Sequence, residues 1–175
     1  MKFTLLHSDV LLKGRAFTIR RDTLQTPDKR ETKFDIIEHG GSVILLPLDD
    51  SGNLLFVRQY RHAAGIDLLE LPAGTLEPSE DPALCAAREL REETGFAADE
   101  IQKIGAFYLA PGYSTEYMHV YLAKKLRPDP LQADADEFLT LEKIPVEEAI
   151  QMAQRGELPD AKSLAALLMA LPHLK

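Results

Sequence analysis

In the stretch GTLEPSEDPALCAARELREETGF, Gly74 to Phe96, Glu89, Glu92 and Glu93 stand at positions i, i+3 and i+4. At about 100° per residue they share one narrow stripe of a helix. Ala83, Ala86, Ala87 and Leu90 form a second stripe, small and apolar, suited to packing on a sheet. The acidic stripe carries a cost. Like charges at i, i+4 destabilise an exposed helix by about 0.2–0.5 kcal/mol per pair. Anions near a helix C-terminus oppose its dipole by about another 0.3–1 kcal/mol each. Arg88 and Arg91 offset part of this, although Arg88 to Glu92 is the weaker orientation of an i, i+4 pair. A divalent cation would turn the cost into a binding site. Three carboxylates, joined by a backbone carbonyl or substrate phosphates, suit a hard ion such as Mg²⁺ or Mn²⁺. The chain has no Cys/His set for zinc. Taken alone, the same glutamates also suit a solvated acidic face.

The elements that must position this helix are legible in outline. Asp81 is an N-cap, Pro82 occupies the first helical position and Gly95 ends the helix. Upstream, SVILLPLDDSGNLLFVRQYR reads as a hairpin: a buried strand over Ser42–Leu48, a turn at DDSGN and a return strand over Leu54–Tyr60. Asp67–Leu71 is a short strand. IGAFYLA, MHVYLAKKL and EFLTLEKI read as further strands, with PGYSTE and the acidic QADADE as loops. PVEEAIQMAQRGE is a helix stopped at Gly156, and AKSLAALLMAL is a last helix facing the core. Before residue 41, Phe17 and Ile19, then Phe34 and Ile36, mark two strands around the polar turn TPDKRET. A lone hairpin is marginal in water, so this one must pack on its own domain or on another subunit. The expected organisation is an N-terminal antiparallel β-hairpin at 1–40 and, over 41–175, a domain of α+β or mixed α/β layers.

Composition narrows the partners. With 175 residues and a formal net charge of −8, the chain holds a single domain's core and is a poor ligand for nucleic acid. Cys85 is the single cysteine, so no intrachain disulfide forms and a reducing, cytoplasmic compartment is expected. Cys85 itself reads as a small helix residue rather than a nucleophile. The opening MKFTLLHSDVLLKGR is broken by His7, Ser8 and Asp9 and is not expected to act as a signal peptide. No run approaches the ~20 apolar residues of a membrane span.

The whole segment matches every fixed position of G-x5-E-x7-R-E-U-x-E-E-x-G-U, where U is bulky and apolar: Gly74, Glu80, Arg88-Glu89-Leu90-Arg91-Glu92-Glu93-Thr94-Gly95-Phe96. This resembles the Nudix hydrolase signature, whose enzymes hydrolyse a nucleoside diphosphate linked to another group. The resemblance implies an α/β/α sandwich. It makes Glu89 and Glu93 the main metal ligands, with Glu92 beside them and the Ala73 carbonyl as a further ligand. Arg88 and Glu80 would orient the carboxylates, and Gly74 would let the backbone turn toward the metal. Glu92 and Arg88 thereby belong to the catalytic set.

A second likeness indicates the substrate. Pro111 lies sixteen residues beyond Gly95, a spacing typical of the ADP-ribose pyrophosphatase branch. APGYSTE resembles that branch's SPGxSxE loop, with Ala110 in place of the usual Ser, and VRQYR and LELPAG also look like it. The implied roles are phosphate contact for Arg61, proximity to the terminal ribose for Glu116, and pocket lining for Pro111 and Gly112. The base would come from the acidic loop, with Glu137 first and Asp136 or Asp134 as alternatives. The branch's N-terminal strands often cross to a partner subunit in a swapped homodimer. There Phe34 and Asp35 would grip adenine, with His39 farther on, whereas Ala16 falls where an aromatic is common and Phe17 follows it. The implied activity is Mg²⁺-dependent (or Mn²⁺-dependent) hydrolysis of ADP-ribose or related ADP-sugars to AMP and a sugar phosphate. The alternatives are a pyrophosphatase for another nucleotide sugar such as GDP-mannose, or a non-catalytic module that senses ADP-ribose.

Overall fold

The computed structural model describes residues 2–132 and 138–174. Two compact units emerge: residues 1–41 with 108–117, and residues 42–107 with 118–175.

In the larger unit the core is built around one fully buried strand. β4 (Ser42–Pro47) is apolar on both faces and buried at all six positions. Such a strand needs a neighbour on each side and a layer on each face. β7 (Ala73–Thr75) pairs antiparallel on one edge, and β9 (Tyr117–Pro128) pairs parallel on the other, with β8 (Phe96–Tyr108) beyond it. Alternate residues serve the two faces. Val43 and Leu45, with Tyr121 and Ala123, pack on Cys85, Ala86 and Leu90 of the helix α1 (Pro82–Thr94). Ile44 and Leu46, with Val120 and Leu122, enter the larger core beside Phe56, Leu69 and Leu71. That core also takes in Ala149 of α2 (Val146–Arg155) and Ala166, Leu167 and Ala170 of α3 (Ala161–Ala170).

A second sheet has the order β10-β5-β6, from β5 (Asn53–Arg61), β6 (Ile66–Glu70) and β10 (Leu139–Pro145). This corrects the expected hairpin. β4 and β5 are joined by a turn, yet they lie in different sheets and share only the isolated bridge Leu48–Leu54. The turn itself is as read. Asp49 accepts from the backbone N–H groups of Ser51 and Asn53, and Gly52 takes φ 79°. What breaks the pairing is demand from farther away: β4 is claimed by β7 and β9, and β5 by β6 and β10.

The helix α1 has the punctuation expected of it. Asp81 accepts from Ala83 N–H, Pro82 follows, and Gly95 closes it in the left-handed region at φ 77°. Its core face is rotated from the expected one. Cys85, Ala86 and Leu90 are buried, whereas Ala83 is exposed and Ala87 only half-buried. The burial of Cys85 pushes its thiol pKa up, which suits an inert packing residue. α2 ends at Gly156, also left-handed at φ 75°, and Asp160 caps α3.

The smaller unit holds three strands rather than two. β2 (Thr18–Gln25) and β3 (Glu31–Glu38) form the expected hairpin, with Lys29 at φ 68° in its turn, and β1 (Thr4–Lys13) adds to the free edge of β2. All ten residues of β1 are exposed, and its apolar residues hid it from an alternation pattern by facing no core. The segment 108–117 joins this unit because Ile37 donates to Tyr113 O at 2.8 Å and accepts from Thr115 N at 3.0 Å. Among the described residues no helix is long and apolar enough to cross a membrane.

Candidate active site

Three elements of the larger unit assemble the acidic cluster. Strand β7 runs along the N-terminal half of β4 and places Ala73 and Gly74 against α1. Glu93 accepts from Ala73 N–H at 2.9 Å. Glu89 lies directly under Gly74: a Cβ there would stand 1.8 Å from the Glu89 carboxyl carbon. The glycine is therefore required by close approach, not by a positive φ. Glu89 and Glu93 are 7% and 8% exposed, so the acidic stripe faces inward and is not a solvated face.

Arg88 gathers the rest. Its Nη1 donates to Glu89 Oε1 at 2.7 Å and to Glu92 Oε2 at 2.8 Å. Its Nε and Nη2 fork onto Glu80 at 3.0 Å each. Glu80 in turn accepts from Glu77 N–H at 2.9 Å, tying the loop before α1 to the helix. These bonds raise the Arg88 pKa, first through Glu80, and lower that of Glu80, first through Arg88. Arg88 thus relieves the like-charge problem posed by the sequence more fully than its i, i+4 geometry suggests. One guanidinium set against Glu80, Glu89, Glu92 and Glu93 still leaves an excess of negative charge.

The fit to a divalent cation can be judged from these groups. Among the described residues no three His, Cys, Asp or Glu side chains are gathered to hold a metal ion. Arg88 Nη1 instead engages both Glu89 and Glu92. In kind the donors do fit: buried carboxylates beneath a glycine with no room for a side chain, all oxygen, suit Mg²⁺ or Mn²⁺.

Arg61, at the end of β5, was expected to meet phosphate. It lies in the same unit, with its charge in electrostatic range of Glu93, and forks onto Glu70 at 2.8 and 2.6 Å. Glu70 also binds Lys162 of α3. Neither Glu70 nor Lys162 was singled out by the sequence as a site residue, although Glu70 stands in the LELPAG stretch as a carboxylate in an otherwise apolar strand end. Burial works to raise the Glu70 pKa, but the Arg61 and Lys162 partners outweigh it and hold the carboxyl below its ordinary 4.5. Glu70 and Glu80 therefore both have depressed folded-state pKa values. Their stabilisation is complete above the ordinary carboxyl pKa and is lost as pH falls through the folded one. The urea midpoint is expected to hold from pH 7 to about 5 and to fall steadily below about 4.5. A midpoint that rises on acidification would contradict both pairings.

The remaining expected residues lie in the smaller unit. Segment 108–117 turns at Pro111-Gly112, where Ala110 O accepts from Tyr113 N at 3.1 Å and Ser114 N at 2.9 Å. A Cβ on Gly112 would meet nothing within 4 Å, so this glycine borders open space. Leu109 N–H donates to Glu116 O, and His39 N–H donates to Thr115 Oγ1 at 2.9 Å. The end of β3 and the Pro111–Glu116 turn are thereby brought together. Phe34 is 41% exposed, and its ring meets Phe3 edge-on at 6.2 Å rather than Phe17. Asp35 is forked by Arg21 at 2.6 and 2.8 Å, directly across the β2–β3 register. Glu137, Asp136 and Asp134 lie outside the described residues.

Comparison with known proteins follows the same lines. The NUDIX domain model matches residues 38–167. The ADP-ribose pyrophosphatase of Mycobacterium tuberculosis (strain ATCC 25618 / H37Rv) is 39% identical over 171 residues, covering 95% of this chain and 82% of that protein. The ADP-ribose pyrophosphatase of Bacillus subtilis (strain 168) is 34% identical over 159 residues, covering 90% and 86%. The crystal structure of an ADP compounds hydrolase matches with a TM-score of 0.88 over 99% of this chain and 95% of that one, at 24% identity, a likeness of fold.

Proposed function

The chain belongs to the NUDIX domain family, and on that premise we propose that it hydrolyses the pyrophosphate bond of ADP-ribose or a related ADP-sugar to AMP and a sugar phosphate. The observation that carries this reading is the buried pair Glu89 and Glu93 under Gly74, with Arg88 tying in Glu80 and Glu92. In this reading Glu89, Glu92, Glu93 and the Ala73 carbonyl would hold Mg²⁺, or Mn²⁺. When bound, the ion supplies the charge neutralisation and Lewis acidity that attack on a phosphoanhydride requires.

The protein's own part is positional and electrostatic. Arg88 and Glu80 hold the carboxylates in place. Arg61 presents a cation to the diphosphate. Glu137 takes the proton from the attacking water, with Asp136 and Asp134 as the neighbouring candidates. Phe34, Asp35 and His39 serve the adenosine end, and Pro111, Gly112 and Glu116 serve the terminal ribose. Asp35, already held by Arg21, receives adenine as a fixed acceptor rather than a freely rotating one.

The N-terminal strands complete the proposal. Leu5, Leu6, Val10, Leu11 and Leu12 of β1 are each about half exposed, an unusual number of exposed apolar side chains for one strand. We read them as the surface of a homodimer with swapped strands, working in the reducing cytoplasm that the lone buried Cys85 suits. Light scattering is expected to give twice the mass of the 19.5 kDa chain. A fully active monomer would end the swapped-strand reading. The substrate is tested by product analysis on ADP-ribose and GDP-mannose side by side. AMP and ribose 5-phosphate should dominate, and a clear preference for the guanine sugar would replace the proposed substrate.

A further inference from the structure

Glu70 is 2% exposed, which is an unusual place for a carboxylate. It terminates β6, where its register partner on β5 is Val57, four residues before Arg61. The two side chains therefore run along the sheet to meet. They form a fork, Arg61 Nε to Glu70 Oε1 at 2.8 Å and Arg61 Nη2 to Glu70 Oε2 at 2.6 Å. Lys162, from the first turn of α3, binds the same Oε2. Lys162 also meets Asp160 at 2.9 Å, and Asp160 is at the same time the cap of α3 through Ser163 N and Oγ. Ser163 Oγ then accepts from Leu71 N–H at 2.8 Å, one residue beyond Glu70.

Stability alone does not call for this arrangement. Apolar residues of similar volume commonly replace a buried ion pair at no loss of stability. What a fork does supply is orientation, because it fixes the plane of the guanidinium. Arg61 has five N–H donors and gives two to Glu70. The other three have no acceptor among the described residues, and the side chain is 40% exposed. Glu70 therefore holds a guanidinium on a side chain that stays partly open to solvent. Its second cation, Lys162, is only 12% exposed, and Glu93 and Asp160 also lie in electrostatic range of the Arg61 charge. We propose that Glu70, braced by Lys162, is a positioning residue that aims Arg61 at an anionic oxygen of the substrate diphosphate. This rests on the reading of Arg61 as a phosphate contact.

The test is steady-state hydrolysis of ADP-ribose, with melting temperatures, for the wild type, Glu70→Gln, Arg61→Ala and the double variant. Glu70→Gln is expected to raise KM about tenfold, the worth of one charge-assisted bond, with kcat within about twofold. In the Arg61→Ala background the same change should alter KM by less than about twofold, because a group acting through Arg61 has nothing left to act on. A merely structural Glu70 would reduce the folded fraction, lowering kcat and leaving KM in place. An unchanged KM in Glu70→Gln, or an undiminished effect in the Arg61→Ala background, overturns the inference while leaving Arg61 itself standing if Arg61→Ala alone raises KM. An unchanged KM in Arg61→Ala removes the phosphate contact and the inference together. Should Glu70→Gln not accumulate as folded protein, Lys162→Met takes its place. Loss of the brace is then expected to raise KM about threefold, an effect absent in the Arg61→Ala background, and an unchanged KM overturns the proposal.

Discussion

Replacing Glu93 by Gln is expected to lower turnover by at least ~10³, about 4 kcal/mol of barrier, while leaving the fold intact. The substitution keeps the shape of the side chain and removes its charge. Glutamine has the size of glutamate, and its amide oxygen can still accept the Ala73 N–H bond that Glu93 makes at 2.9 Å. The contact that anchors β7 to α1 thus survives, and the melting temperature should move little. What disappears is one negative charge at an 8% exposed position, where few water molecules soften its loss. In the proposed mechanism that charge is a metal ligand. Near-wild-type turnover in Glu93→Gln would contradict the assignment.

Gly74→Ala is expected to give the second largest loss. The added Cβ would stand 1.8 Å from the Glu89 carboxyl carbon and 1.9 and 2.4 Å from its oxygens. No side chain tolerates such contacts, so Glu89 must swing away. Because the carboxylate is the far end of a flexible chain, it can do so without moving the backbone. Gly74 does not occupy the left-handed region, so alanine brings no backbone strain. Stability should hold while kcat falls about 10²-fold, as expected for a misplaced catalytic group. Turnover within a few-fold of wild type, with an unchanged melting temperature, would show that Glu89 need not lie under residue 74.

These two variants concern the part of the molecule that was readable from the chain alone. Helix α1 could be drawn from Asp81, Pro82 and Gly95 because caps are local, and the glutamate stripe followed from spacing along one helix. What was not readable depended on partners far off in sequence. The core face of α1 was set by β4 and β9, which bury Cys85 and leave Ala83 out. The β4–β5 hairpin failed because parallel β9 competes for β4, and nothing near Pro47 announces that. Strand β1 carries leucines that face no core, so period-two alternation gave no signal. Glu70 and Lys162 are 92 residues apart, and no motif spacing could join them. The smaller unit was half legible. Phe34 and Asp35 were picked out as a pair, but their partners are Phe3, just before β1, and Arg21 of β2.

In the proposed enzyme the acidic face of α1 serves a divalent cation, which in turn serves a phosphoanhydride. This is tested most directly by incubating the protein with ADP-ribose in ¹⁸O-water, once with Mg²⁺ and once with a chelator, and analysing the products. AMP and ribose 5-phosphate, one of them labelled, should form with the metal and be absent without it. Hydrolysis that proceeds equally in the chelator, or no hydrolysis in either, would contradict the account.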